Sequence, residues 1–191
     1  MRVIGGLSRG RRLPARLPAG VRPTSDRVRE AIFDVLGSMG GVDGLRVADL
    51  FCGSGALGAE ALSRGAAEVT LVDHHPDALA AVRANLAAAG LDRLAGQRAV
   101  VVRAELPAWL GRAGSFDLAL CDPPYAFADW GTLLGSLRAE VAVLESSSEV
   151  EVPGGWAVTR ARRYGGTLVT VVRTAAHAAP AARPPSPVAV P

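Results

Sequence analysis

Asp122-Pro123-Pro124-Tyr125 puts a hydrogen-bond acceptor, a stiff stretch of main chain and a flat ring into four consecutive residues. The two prolines fix φ and hold the backbone rigid. Such a set suits gripping a planar heterocycle by an exocyclic amino group, with Asp122 as the acceptor and the Tyr125 ring beside it. The tetrapeptide follows Phe116 to Cys121, a short apolar run that reads as a buried parallel strand. It therefore falls at the carboxyl end of a strand, where open α/β sheets place their ligands. Taken alone, the same residues read equally well as a turn, since Asp-Pro and Pro-Pro are ordinary loop punctuation.

A second constellation lies upstream. Val47 to Gly58 reads as a strand, a glycine turn and the start of a helix, and Gly53, Gly55 and Gly58 match the pattern G-x-G-x-x-G. Glycines let the main chain approach a ligand without Cβ collisions. A nicotinamide dinucleotide and S-adenosylmethionine both have to be weighed against that pattern. Asp49 stands four residues before the first glycine, where it can receive an ammonium group directly or through water. A pyrophosphate would instead need that approach to the helix amino terminus open. Asp73 ends the second strand and can accept from ribose hydroxyls in either class. Glu105, after the third strand, can accept from an adenine amine or serve as a solvated acid at a helix start. For S-adenosylmethionine the binding set is Asp49, Phe51, Gly53, Gly55, Gly58, Asp73 and Glu105. His74 and His75 read as exposed loop residues, and no metal site is expected.

The elements that must position these residues alternate. Helical spacing after Thr24-Ser25-Asp26 predicts a helix capped by Ser25 or Asp26 and ended by Gly37. Strands are expected over Arg46–Phe51, Glu68–Val72, Ala99–Arg103, Phe116–Cys121 and Val141–Leu144. Helices fall between them over Leu57–Arg64, Pro76–Ala89, Glu105–Leu110 and Trp130–Arg138. Trp156–Arg163 and Thr167–Arg173 form a closing antiparallel pair. The fold class is α/β: a Rossmann-like, mostly parallel sheet with one antiparallel closing strand and helices on both faces. Residues 2–5 and 10–13 are expected to pair as an amino-terminal β-hairpin. The division is then a basic arm over 1–23, a catalytic domain over 24–174 and a disordered Ala/Pro tail over 175–191.

Charge is unevenly placed along the 191 residues. Residues 1–30 carry eight Arg against Asp26 and Glu30, whereas residues 31–150 carry eight Arg against fifteen acids. A basic arm on an acidic body points to a polyanion reached by one edge, although a solvated, arginine-biased arm gives the same count. Arg9, Arg11, Arg12, Arg22, Arg27 and Arg29 are the candidate phosphate contacts. Arg22 and Asp26 have a structural alternative, pinning the arm to the domain, and for Asp26 that is the preferred reading. Cys52 and Cys121 fall in apolar runs and imply buried free thiols rather than a disulfide framework. With no signal-peptide pattern and no segment of membrane-spanning length, the expectation is a cytoplasmic protein that works as a monomer.

Both motifs, in this order at the ends of the first and fourth strands, resemble an amino-methyltransferase of the Rossmann-like class. Arg2-Val3-Ile4-Gly5-Gly6, Arg9-Gly10-Arg11-Arg12-Leu13-Pro14 and Arg22-Pro23-Thr24-Ser25-Asp26-Arg27-Val28-Arg29-Glu30 with Phe33 narrow it to a resemblance to the RsmD family. The run Asp49 to Ala66 continues that resemblance, which spans residues 2 to about 173. It implies a bacterial 16S ribosomal RNA (guanine(966)-N2)-methyltransferase, with S-adenosylmethionine as donor and rRNA of an assembling 30S subunit as partner. Asp122, Pro123, Pro124 and Tyr125 would be its catalytic residues. Tyr125 stands where some relatives have Phe, Glu145 to Glu149 follows the pattern loosely, and the tail has no counterpart. An N6-adenine DNA methyltransferase shares both motifs, but the tight joins between strands leave it no target-recognition region. A non-catalytic rRNA-binding assembly factor is the alternative outside enzymes.

Overall fold

The computed structural model describes residues 1–15 and 25–175. Its elements are α1 (Asp26–Ser38), β1 (Arg46–Leu50), α2 (Ala56–Ser63), β2 (Glu68–Asp73), α3 (Pro76–Ala89) and β3 (Arg98–Arg103). They continue as β4 (Phe116–Cys121), α4 (Trp130–Ser136), β5 (Ala139–Ser146), β6 (Trp156–Tyr164) and β7 (Thr167–Thr174). The seven strands form one sheet in the order β3-β2-β1-β4-β5-β7-β6. The first five in that order run parallel, and β7 pairs antiparallel with both β5 and β6. This is the mixed α/β sheet expected from the alternation of strands and helices.

Local chemistry explains the boundaries. The Ser25 side chain accepts from the Val28 N–H and starts α1. Pro76 opens α3, where its missing N–H costs nothing, and Gly90 closes it at φ 67° in the left-handed region. Period-two alternation then divides the sheet into two cores. Val47, Val69, Leu71, Leu118 and Leu120 pack with α1, α2 and α3 residues such as Phe33, Leu62 and Val82. Ala48, Leu50, Val72, Ala119 and Leu144 pack on the other face with Leu110, Trp130, Leu133 and Leu134. Each fully buried leucine contributes roughly 1.5–3 kcal/mol.

Two expectations need correction. The amino-terminal hairpin is not a strand pair: a single antiparallel bridge joins Arg2 and Arg12. The Ile4 and Gly5 N–H groups donate to the Glu60 carboxylate on α2, both at 2.7 Å, instead of to a partner strand. The helix expected over Glu105–Leu110 is a 3-10 turn over Ala108–Arg112. Pro107 sits at its N-cap, and the Leu110 N–H closes an i→i+3 bond on the Pro107 carbonyl at 2.9 Å in place of an α-helical one. The connector residues 16–24, with Arg22, and residues 176–191 of the expected tail lie outside the described residues. Among the described residues no helix is long and apolar enough to cross a membrane.

Candidate active site

β1 has β2 on one side and β4 on the other, so the direction of the winding reverses between β1 and β4. Crevices at such switch points receive ligands in open parallel sheets. The glycine turn follows β1 and the Asp-Pro-Pro-Tyr loop follows β4. Register pairs Leu50 with Cys121, and the Asp122 N–H reaches the Leu50 carbonyl at 3.4 Å. The two loops therefore leave the sheet side by side, at the same end.

Asp49 is buried at 1 % exposure and accepts the Gly58 N–H at 2.8 Å, which fastens the first turn of α2 to β1. A Cβ on Gly58 would lie 2.6 Å from Leu71 Cδ2 and 2.9 Å from Asp49 Oδ2, so the turn can be this tight only with glycine there. Gly55 caps α2 in the left-handed region at φ 74°, and its Cβ would meet Leu71 and Val82 at 3.0 Å. Phe51 is the one non-glycine residue at positive φ (59°) among the described residues. Such a conformation is uncommon outside glycine and concentrates at functional sites. Here it turns the Phe51 ring toward Phe127, with centroids 5.1 Å apart.

Asp73 accepts the Gly53 N–H at 3.0 Å on one oxygen and the His75 N–H at 2.9 Å on the other. His74 Nδ1 also lies 3.5 Å from the second oxygen, and a carboxylate oxygen can accept more than one hydrogen bond. Beside it lies a cavity of about 320 Å³ lined by Phe51, Asp73, His74, Glu105, Pro124 and Phe127, among others. It gathers side chains from the loops after β1, β2, β3 and β4. Phe51, Asp73 and Glu105, expected to bind one ligand, meet there, and Asp49 with Gly53, Gly55 and Gly58 forms the adjoining turn.

Electrostatics give this crevice its character. Burial raises the Asp49 carboxyl well above its ordinary value, the Gly58 N–H opposes the shift, and the charges of Asp122 and Asp73 raise it further. Three carboxylates thus share one field, which suits a cation. The Cys52 and Cys121 thiols are free and buried, and burial pushes both far up, so neither is a nucleophile near neutral pH.

Within the Asp-Pro-Pro-Tyr loop, Pro123 is buried, Asp122 half-buried, and Tyr125 stands 56 % exposed. The loop closes through the Phe127 N–H donating to the Pro124 carbonyl at 2.8 Å. Phe127 also packs edge-on to Trp130 at 5.3 Å. Sequence reasoning missed Phe127, whose available signal was an aromatic residue two positions beyond Tyr125. Arg9, Arg11, Arg12 and Arg27 are exposed. Arg29 is fully buried, donating to Asp26 at 2.9 Å and to the Arg2 carbonyl at 2.6 Å, which removes it from the phosphate-contact set. Asp26, through Arg29, helps pin the amino-terminal segment.

The family described as Conserved hypothetical protein 95 matches residues 1–173. The chain belongs to that family. Ribosomal RNA small subunit methyltransferase D of Escherichia coli (strain K12) is 35 % identical over 176 residues, 86 % of this chain and 85 % of that protein. The Bacillus subtilis (strain 168) protein named "Putative rRNA methyltransferase YlbH" is 37 % identical over 184 residues, 91 % of this chain and 98 % of its own. A solved structure of a hypothetical protein from Thermus thermophilus superposes with a TM-score of 0.76 at 33 % identity, covering 91 % of this chain and 99 % of that one.

Proposed function

We propose that the protein transfers a methyl group from S-adenosylmethionine to the exocyclic N2 of a guanine in 16S rRNA, in the bacterial cytoplasm. By family resemblance the guanine is the one at position 966. The observation that carries this reading is the adjacency of the glycine turn and the Asp-Pro-Pro-Tyr loop across the β1–β4 register. A donor held at one lies within reach of an acceptor nitrogen held at the other. The rRNA methyltransferase names of the relatives supply the substrate class.

The residues fit this donor. Its sulfonium and ammonium are positive, matching a crevice where Asp49 lies in the field of Asp73. A dinucleotide's pyrophosphate would be repelled there. Asp73 offers its remaining acceptor positions to ribose hydroxyls, Phe51 and Phe127 flank the adenine, and exposed Glu105 accepts from its amine. When bound, the cofactor supplies an electrophilic methyl group on positively charged sulfur.

A guanine amine is a poor nucleophile because its lone pair is delocalised into the ring. Asp122 and the Pro123 carbonyl accept its two hydrogens and pull the nitrogen toward tetrahedral geometry. Tyr125, exposed and presented by two prolines, stacks on the base and holds the amine in line. As the N–C bond forms and the methyl carbon–sulfur bond breaks, its electron pair staying with sulfur, the extra proton leaves nitrogen toward Asp122 or water. The base must be unpaired or flipped to reach the loop. Arg9, Arg11, Arg12 and Arg27 position the RNA through its phosphates without reading sequence.

The direct test incubates the protein with radiolabelled S-adenosylmethionine and 30S particles lacking the modification, then maps the methylated nucleotide. Label on a guanine N2 of 16S rRNA is the expected outcome. Label on DNA, or none on rRNA, overturns the proposal, and the latter result favours an assembly factor.

Asp49 adds a pH dependence whose sign is fixed. Its folded-state pKa lies above its ordinary value, so the carboxyl holds a proton at pH values where a free aspartate would be ionised. A cationic ligand binds the ionised form, so cofactor affinity is expected to fall as pH drops through that raised pKa. The limit is about tenfold per pH unit for one linked proton. The ligand-free fold shows the opposite sign, losing stability as pH rises from the ordinary carboxylate range through the raised pKa. Titration calorimetry at stepped pH, with urea midpoints alongside, reads both, and Asp49→Asn is expected to flatten both profiles.

A further inference from the structure

Beside the residues assigned to methyl transfer stands a carboxylate that the transfer does not use. Glu145 is buried, at 4 % exposure, one residue before the end of β5. β5 runs parallel to β4 with Leu120 opposite Val143 and Cys121 opposite Leu144. Asp122 follows the last residue of β4 and Glu145 is the next residue of β5, so the register continued by one step makes them lateral neighbours. Leu120 and Val143 belong to one core, Cys121 and Leu144 to the other. Alternation returns Asp122 and Glu145 to the same side of the sheet.

Glu145 also lines a narrow recess of about 30 Å³ with Pro123, Tyr125, Trp130, Ser146 and Ser148. That volume admits the edge of a ring and not the ring itself, which would remain over Tyr125. The recess has a fixed wall: Ser146 Oγ donates to the Ser148 carbonyl at 2.6 Å, and Arg163 of β6 donates to the Ser147 carbonyl at 3.0 Å. Behind it, Glu145 is paired in register with Val169 of β7.

We propose that Glu145 reads the identity of the target base by accepting the N1–H of guanine while Asp122 holds the neighbouring N2 amine. This rests on the guanine-N2 reading above. Guanine presents N1–H and N2–H as adjacent donors on one edge, and two adjacent carboxylates complement that pair. Adenine presents a lone pair at N1 and carries its amine at C6; a carboxylate opposite that lone pair is repelled and left without a hydrogen bond. A site built to bond a donor rejects analogues that lack it far more strongly than a merely shaped pocket does. Glu145 is thus a specificity determinant, distinct from the group that handles the reacting nitrogen.

The test uses the full chain and 30S particles reconstituted with 16S rRNA carrying either guanine or 2-aminopurine at the methylated position. 2-Aminopurine keeps the amine at C2 and replaces N1–H with a lone pair. Wild-type protein is expected to prefer guanine by at least about 100-fold in kcat/KM. Glu145→Gln, whose amide can donate to that lone pair, is expected to bring the ratio within about tenfold. A Glu145 that only holds the turn after β5 would lower kcat/KM on both substrates by the same factor, and an unchanged ratio overturns the inference. Wild-type protein that methylates neither particle sinks the guanine-N2 reading instead, so the two failures are distinguishable. If Glu145→Gln does not fold, Glu145→Asp carries the test: a guanine preference that falls with the shortened carboxylate supports the role, and a preference unchanged from wild type refutes it.

Discussion

Asp122→Ala is expected to lower single-turnover methyl transfer by about 10³-fold or more while cofactor binding survives, a loss equivalent to about 4 kcal/mol of transition-state stabilisation. The separation follows from geometry. The cavity beside the glycine turn is walled by Phe51, Asp73, Glu105, Pro124 and Phe127, without Asp122. The main-chain contact from Asp122 to Leu50 does not involve its side chain and persists in alanine. What disappears is the acceptor that pulls the amine toward tetrahedral geometry. Asp122→Asn refines the outcome, because an amide oxygen still accepts one hydrogen but takes no proton. If Asp122 only orients the amine, Asn should recover about 10- to 100-fold over Ala; if it removes the proton, Asn should resemble Ala. Calorimetric titration with S-adenosylmethionine provides the control. Lost cofactor affinity in Asp122→Ala would overturn the division between donor pocket and acceptor loop.

Much of that division is legible in the chain itself because short-range chemistry writes it. Pro76 and Gly90 bracket α3 at the two positions where each residue is favoured, and the apolar run Phe116–Cys121 is β4 to the residue. Strand ends follow from those runs, and the parallel winding brings the ends to one edge. Contacts made across long stretches of chain are the part that sequence pattern does not encode. Arg29 sits in an exposed-looking run of charge, yet its partners are Arg2, Asp26 and Glu60, and the last is 31 residues away. Glu145 reads as one acid among serines until the β4–β5 register brings the end of β5 alongside the start of the Asp-Pro-Pro-Tyr loop. Charge counting sees a basic arm; packing separates the exposed arginines from the one that holds the arm down.

That buried contact carries the second large effect. Glu60→Ala is expected to destabilise the protein by about 3–5 kcal/mol, the range for removing one partner from a buried ion pair. Glu60 has no exposed surface and accepts from Ile4 N–H, Gly5 N–H and Arg64 Nε, each at 2.7 Å. Arg29 Nε lies 3.9 Å away, an ion pair between two fully buried side chains. Alanine would remove one of the two carboxylates that face the buried Arg29 guanidinium and leave two main-chain donors without acceptors. Urea denaturation should show a lower midpoint at unchanged slope. Amide exchange at Ile4 and Gly5 should accelerate by more than the global loss of stability accounts for, as the amino-terminal segment lifts from α2. Glu60→Gln should fall between wild type and alanine, since its amide oxygen still accepts while the charge it offers Arg29 and Arg64 is gone. Exchange at Ile4 and Gly5 that follows global stability alone would mean that Val3 and Leu13, both 2 % exposed, hold the segment down by packing without the carboxylate. With the segment released, Arg9, Arg11 and Arg12 would no longer be fixed relative to the sheet. Methyl transfer to 30S particles should then weaken through KM, and kcat should hold wherever the domain stays folded.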